Sequence, residues 1–326
     1  MNNNDILEQL RKTLMLDIDP VKKLTIGDAY DNFINHAKIN CREETIKFYN
    51  AKFSRIYKYF INNDIKYVDD INKRELTKFV AFLKSNNLKN SSVNKYVELI
   101  KSVVKYNFDN DFCMNNNILG FKKLKEDKAN IKIIEKDNIK KILRYINNLD
   151  FSDIYNVKKA LYIYLLYDTG ARINEILNIK TVNVDINNNQ ILLDFTKTKD
   201  FRMVYITDVT VKLLKIYIDY LNKNVPNNIY LLCSFKTGNK LAKNTIYEFL
   251  DKLKKELNIN QSITPHKWRH TMATELVEAD TNLYSVMTVL GHTSLETTKK
   301  YLHVHNNKIK SDTLKSLEIR QKKGPV

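Results

Sequence analysis

Between Leu24 and Leu119 the apolar positions recur at helical spacing. Ile26, Tyr30, Phe33 and Ile34 form one stripe, and Ile46, Phe53, Ile56, Tyr57 and Phe60 a second. Leu76, Phe79, Val80 and Leu83 form a third, and Val93, Val97, Ile100, Val103 and Val104 a fourth. Such spacing puts each run on one helix face, and four amphipathic helices bury those faces against one another as a small bundle. Phe121 to Lys128 is charged and lacks periodicity, so it reads as a linker. Residues 1–22 are polar and read as a short leader or a single helix.

Beyond Lys132 the pattern is more varied. Asp137 to Ile146 predicts a helix with Ile139, Ile142, Leu143 and Ile146 inward. Leu161 to Tyr167 is apolar nearly all round, as a buried helix must be. Gly170 breaks it, and Arg172 opens a helix with Ile173, Ile176 and Leu177 on one side. From Val182 to Thr207 the period falls to two: Val184, Ile186, Ile191, Leu193 and Phe195, then Met203 and Tyr205, alternate with polar residues. With turns at Asn187–Asn189 and Thr198–Asp200, this predicts a small antiparallel sheet. Thr210–Asn222 and Lys243–Leu257 are amphipathic helices. Thr264 can cap another, with Pro265 suited to its first position. Leu283, Val286, Met287 and Leu290 predict a core-packed helix stopped by Gly291. Thr293 or Ser294 can cap the next, which carries Tyr301, and Lys308–Lys323 can form a basic helix. The expected fold is mainly α with a small antiparallel β-sheet. Its expected parts are a leader (1–22), a helical domain (23–119), a linker (120–131) and an α+β domain with a C-terminal tail (132–326).

Composition narrows the function. The 326 residues suit two domains rather than one. Lys and Arg total 54 against 37 Asp and Glu, a net charge of +17. That excess points to a polyanion, most often nucleic acid; a merely basic protein or a membrane-surface binder are the other readings. Cys41, Cys113 and Cys233 are far apart and in no metal-binding spacing, so they form neither a disulfide framework nor a zinc site, and a reducing cytoplasm is the simplest location. The N-terminal stretch lacks a signal peptide's apolar core, and no run reaches the length of a membrane span. No GxxxxGK loop is present, so no ATP site is evident.

Five of the six histidines and the only tryptophan lie at or beyond residue 266. His266 and Arg269, three apart, share a helix face. Cations near a helix N-terminus oppose its dipole, and an anionic ligand relieves the conflict; simple solvation of both side chains is the alternative. Arg172, at a buried junction, needs an anion, either Glu175 or a ligand. His266 and His270 have the i, i+4 spacing of a zinc helix, but Lys267 stands where such a helix carries Glu and Arg269 repels a metal ion, so no metal is expected. Lys299 and Lys300 precede Tyr301, which makes a polyanion the expected neighbour of that hydroxyl.

These boxes resemble a known family. His266-Lys267-Trp268-Arg269-His270, then Leu290-Gly291-His292-Thr293-Ser294, then Tyr301 nine residues after His292, resemble the C-terminal signature of the tyrosine recombinases, or phage-type integrases. Upstream, Thr169-Gly170-Ala171-Arg172-Ile173-Asn174-Glu175 resembles the family's first arginine box, and Phe195–Asp200 its lysine hairpin. Ser91–Tyr96 resembles part of its core-binding domain. The leader is too short for a separate arm-binding domain, so the resemblance is closest to two-domain, Xer-like members. Trp268 departs from the family pattern, where Leu is commoner.

The resemblance implies a helical, SAM-like core-binding domain followed by a tyrosine-recombinase catalytic domain. It implies strand cutting and rejoining through a 3′-phosphotyrosyl intermediate, with Arg172, Lys197, His266, Arg269, His292 and Tyr301 as the catalytic set and no metal, cofactor or ATP. Lys199 competes with Lys197, two residues away. Lys95, Lys101, Lys199 and Arg202 are further DNA-contact candidates. Implied partners are double-stranded DNA, three further copies of the chain in a tetramer on that DNA, and an accessory directionality factor; the free protein is expected to be a monomer, with no membrane partner. A type IB topoisomerase and a non-catalytic DNA-binding protein are the alternatives.

Overall fold

The computed structural model describes residues 23–114, 116–126, 132–194, 201–226 and 228–291. The chain divides into two compact units, Met1–Ala129 and Asn130–Val326.

The first unit contains α1 (Ile26–Asn40), α2 (Glu43–Asn62), α3 (Lys73–Ser85) and α4 (Asn90–Asp109). Local chemistry sets two of the starts. Thr25 Oγ1 accepts from Asp28 N at 3.1 Å, and Asn72 Oδ1 accepts from Arg74 N and Glu75 N at 2.9 and 3.1 Å. All four apolar stripes feed one core, in which Phe60, Leu76, Phe79, Leu83 and Val93 are fully buried. Tyr57 is the exception: it is exposed, because the helical turn carries it past the stripe held inward by Ile56 and Phe60. A buried amide joins α1 to α4. Asn107 Nδ2 donates to Ala29 O at 2.8 Å and to Val103 O at 2.9 Å, while its Oδ1 accepts from Asn32 Nδ2 at 3.0 Å. Within 120–131, Leu124 exchanges two hydrogen bonds with Asn94 of α4, so residues up to 126 follow this unit; residues 127–131 lie outside the described residues.

The second unit is built around α6 (Ile154–Thr169), preceded by α5 (Lys136–Asn147). Val157, Ala160, Leu161, Ile163, Leu165 and Leu166 of α6 are fully buried, as an all-apolar helix requires. After α7 (Ile173–Leu177), strands β1 (Val184–Asp185), β2 (Gln190–Asp194) and β3 (Phe201–Tyr205) form an antiparallel sheet in that order. Then come α8 (Asp208–Asn224), α9 (Lys243–Glu256), α10 (Pro265–Glu278) and α11 (Leu283–Leu290). The described residues are mainly α with one small antiparallel sheet, as expected.

The phase of β3 differs from the expectation. Register pairs Ile191 with Val204 and Leu193 with Arg202, so the even-numbered residues of β3 face the core. Val204 is fully buried and Arg202 nearly so, whereas Met203 and Tyr205 are exposed. A buried arginine on the inward face disguised the alternation. Phe195 and the second expected turn, at 198–200, lie outside the described residues.

A second buried cation lies on α6. Lys158 Nζ donates to Cys233 O at 2.5 Å and stands 4.1 Å from the centre of the Phe235 ring. Burial pushes its pKa down to about 8.

Candidate active site

Helix ends assemble the site. Helix α6 stops at Gly170, whose φ of 53° is the left-handed conformation that glycine tolerates best. No side chain fits there easily, since a Cβ would stand 2.5 Å from Met272 Sδ of α10. The turn delivers Arg172 to the start of α7, where its backbone N–H donates to Glu175 Oε2 at 2.8 Å. Helix α11 ends at Gly291, also left-handed with φ 62°.

Both arginines reach these ends. Arg269 is 4% exposed and donates from Nη1 to Gly170 O at 2.9 Å and from Nη2 to Leu290 O at 2.5 Å. Arg172 donates to Gly291 O at 3.4 Å from both terminal nitrogens. The cation on α10 therefore meets the negative ends of α6 and α11, which relieves the conflict with its own helix N-terminus. The side chain of Arg172 is 41% exposed, so an anion can approach it.

Glu175 joins a third arginine to the group. Its Oε1 accepts from Arg172 Nη1 and its Oε2 from Arg202 Nη2, both at 2.8 Å. The sequence left Arg172 a choice between Glu175 and a ligand; the structure supplies Glu175 while keeping the guanidinium partly exposed. Burial alone would raise the Glu175 pKa. The hydrogen bond and charge of Arg202, with the backbone and side-chain donors of Arg172, outweigh it and hold the carboxyl below its ordinary value.

Arg202 was expected to contact DNA. That expectation is corrected: its side chain is 5% exposed and is occupied by Glu175 inside the unit. The pairing was hidden in the sequence, because the partners are 27 residues apart. A charged residue opposite Leu193 was the available signal.

Helix α10 starts where expected, with Thr264 at its N-cap and Pro265 at its first position, although the Thr264 side chain makes no capping bond. His266 is exposed in the first turn. Trp268 is 1% exposed, packs edge-on to Tyr167 at 5.9 Å, and its Nε1 has no hydrogen-bond partner among the described residues. Lys267 and Thr271 tie the start of this unit to α10: Lys267 Nζ donates to Lys132 O at 2.8 Å, and Ile134 N donates to Thr271 Oγ1 at 2.9 Å. Thus Arg172, Arg269 and the 290–291 peptide meet, with His266 on the first turn of α10. Lys197, Lys199, His292 and Tyr301 lie outside the described residues.

In the first unit, Lys95 and Lys101 line an open cleft of about 730 Å³ together with Lys105 and Lys123. Lys101 Nζ donates to Phe121 O at 3.2 Å, and Lys123 pairs with Glu98.

The chain belongs to the phage integrase family, the tyrosine recombinases that cleave and rejoin DNA strands: residues 132–308 match the model of that family and residues 25–124 that of the phage integrase SAM-like domain. It is 25% identical over 291 residues to the tyrosine recombinase XerD of Staphylococcus saprophyticus, covering 88% of this chain and 96% of that one. It is 27% identical over 293 residues to XerC of Leptospira interrogans, covering 88% and 92%. Among solved structures, the XerH site-specific recombinase bound to a palindromic difH substrate shares the fold, with TM-score 0.70 and 18% identity over 90% of each chain. The Tn1549 transposon integrase in complex with transposon right-end DNA has TM-score 0.67 and 16% identity over 89% of this chain and 100% of that one. None of these matches is to a topoisomerase or a non-catalytic DNA-binding protein. Among the described residues, no helix is long and apolar enough to cross a membrane.

Proposed function

We propose that this site-specific recombinase binds duplex DNA and cleaves each strand with Tyr301. The observation that carries this reading is the convergence of Arg172 and Arg269 on the Leu290–Gly291 peptide, directly before His292 in the chain. Planar guanidiniums suit the non-bridging oxygens of a phosphate, and donors aimed at a developing charge are usually the largest contribution in such a site. A phenol with a pKa near 10 needs such surroundings to act as a nucleophile. The Tyr301 oxygen attacks phosphorus, and the bond to the 5′ oxygen breaks. Lys197 gives that oxygen its proton as general acid, with Lys199 as the competing lysine. His266 and His292 orient the phosphate and share its protons. The 3′-phosphotyrosyl bond retains the energy of the strand, so a 5′ hydroxyl of another strand reverses the step without ATP.

Lys95 and Lys101 contact backbone phosphates from the first unit, and residues 23–119 and 132–326 act as the core-binding and catalytic domains. Four copies assemble on two duplexes, the free chain is a monomer, and the enzyme works in the cytoplasm, where an accessory factor sets direction. The test is incubation with labelled DNA from the flanks of its own gene, in EDTA and without ATP. A denaturant-resistant adduct absent from Tyr301→Phe, together with recombinant junctions, is expected. An adduct that survives Tyr301→Phe overturns the assignment of the nucleophile, and one formed without junctions favours a topoisomerase. Sedimentation of DNA-free protein as a tetramer overturns the monomer.

A further inference from the structure

Asp168 belongs to the last turn of α6, two residues before Gly170, and it is bound to a different part of the fold. Its Oδ2 accepts from Thr207 N at 2.8 Å, from Thr207 Oγ1 at 2.9 Å and from Thr210 Oγ1 at 2.6 Å. Thr207 is the N-cap of α8, yet its own side chain makes no capping bond. A carboxylate from another helix instead accepts the N–H of the N-cap residue itself and sets a negative charge at the positive end of α8. Thr210 is fully buried, so the contact is enclosed on that side. A threonine cap at residue 207 would serve α8 by itself; the link to α6 adds a tie between two elements.

That tie has a counterpart seven residues along. Glu175 holds Arg202 on β3, and Asp168 holds Thr207, two residues past the end of β3. Asp168 and Glu175 therefore bracket the turn that presents Arg172, Glu175 holding β3 at Arg202 and Asp168 holding the β3–α8 junction at Thr207. β3 is paired with β2 along Phe201–Tyr205, so the loss of Asp168 frees the β3–α8 junction rather than the strand as a whole. A shift of that junction passed along β3 displaces Arg202, Arg202 draws on Glu175 Oε2, and Glu175 Oε1 is the shortest of the contacts that orient the Arg172 guanidinium.

We propose that Asp168 is a positioning residue for Arg172, acting through β3 and Glu175. The inference rests on the reading of Arg172 as a partner of the scissile phosphate's charge. It assigns no contact with DNA to Asp168.

The test compares single-turnover cleavage of ordinary DNA with cleavage of DNA bearing a methylphosphonate at the scissile position. Replacing one non-bridging oxygen by methyl removes the negative charge, so a displaced or missing guanidinium matters less. Asp168→Ala is expected to cleave ordinary DNA ~10- to 100-fold more slowly, the size of effect that an ångström-scale misplacement produces. Its affinity for DNA is expected to stay within about twofold of the unaltered protein, the signature of a loss confined to the chemical step. On methylphosphonate DNA the deficit shrinks, as it does for Arg172→Ala. Asp168→Asn keeps an acceptor oxygen for the threonines and recovers most of the rate. Thr210→Val removes one bond at nearly constant volume, moves in the same direction by less, and carries the test if Asp168→Ala does not melt as a folded protein. An Asp168→Ala deficit of equal size on both substrates, while that of Arg172→Ala shrinks, overturns the positioning role. A wild-type rate in both Asp168→Ala and Thr210→Val also overturns it. If Arg172→Ala itself is equally slow on both substrates, the reading of Arg172 falls and the inference with it.

Discussion

Arg172 and Arg269 donate to neighbouring carbonyls at one helix end: Arg172 Nη1 and Nη2 lie 3.4 Å from Gly291 O, and Arg269 Nη2 lies 2.5 Å from Leu290 O. Arg269 also holds Gly170 O, so its two terminal nitrogens bridge two helices in a place that is 4% exposed. A lysine can cover one of these carbonyls but lacks the fork to span both. Arg269→Lys is expected to slow single-turnover cleavage about 100- to 1000-fold, the usual cost of losing an electrostatic donor. Its melting temperature should also fall. A near-normal rate would remove Arg269 from the site.

Glu175 carries charge between Arg172 and Arg202, and its side chain is 8% exposed. Glu175→Gln leaves Arg202 buried without its counter-charge, and breaking a buried pair in this way costs roughly 3–5 kcal/mol. Because its folded pKa is held below the ordinary 4.5, the charged carboxylate's contribution is complete above that value and is lost as pH falls through the lower folded value. Urea unfolding should therefore show a gap between wild type and Glu175→Gln at pH 7 that closes in acid. A gap that does not change with pH would place the stabilisation elsewhere.

Lys158 has the opposite sign. Its folded pKa of about 8 lies below the ordinary 10.5, so the unfolded chain binds more protons between these values. Stability from this group rises with pH across that window, because the buried ammonium is costly and its neutral form is not. The difference in melting temperature between wild type and Lys158→Met, measured from pH 7 to pH 10, should shift in favour of wild type as pH rises above about 8. Parallel curves would mean that Lys158 keeps its proton inside the fold.

Gly170→Ala tests the turn itself. With φ at 53° and Met272 Sδ 2.5 Å from the new Cβ, the variant is expected to lose ~1–3 kcal/mol of stability, the range for backbone held in a disfavoured region. Cleavage should fall as well, since the Gly170 carbonyl anchors Arg269. Denaturant melts and cleavage rates read the two effects separately. Unchanged values in both would show that the turn adapts.

The readable parts of the fold were those written in local spacing. Four apolar stripes gave four helices, the all-apolar run gave the buried α6, and Gly170 and Gly291 marked the two helix ends. Arg172–Glu175 was visible because i, i+3 neighbours on a helix meet. Arg202 was misplaced because its partner Glu175 lies in another element, and a strand of five residues offers too few positions to overrule a charged one. Asp168 was missed for the same reason: nothing near it in sequence shows that it binds Thr207 at the start of α8, 39 residues on. Tyr57 was assigned inward by its helical spacing from Phe53 and Phe60, and only the packing of Ile56 and Phe60 decides which face is the core.

The carbonyls of Gly170, Leu290 and Gly291 have a consequence for the encounter with DNA. They hold two long, flexible cations in fixed directions before any phosphate arrives, as a rehearsal of the anion. Ordering those side chains thus belongs to folding, not to association, and in the proposed role of Arg172 and Arg269 a phosphate meets donors that have little freedom left to lose. On that proposal affinity for the strand and speed of the chemical step are governed by different groups, so a change at a distant phosphate contact is expected to weaken binding while the cut, once begun, proceeds at its usual pace.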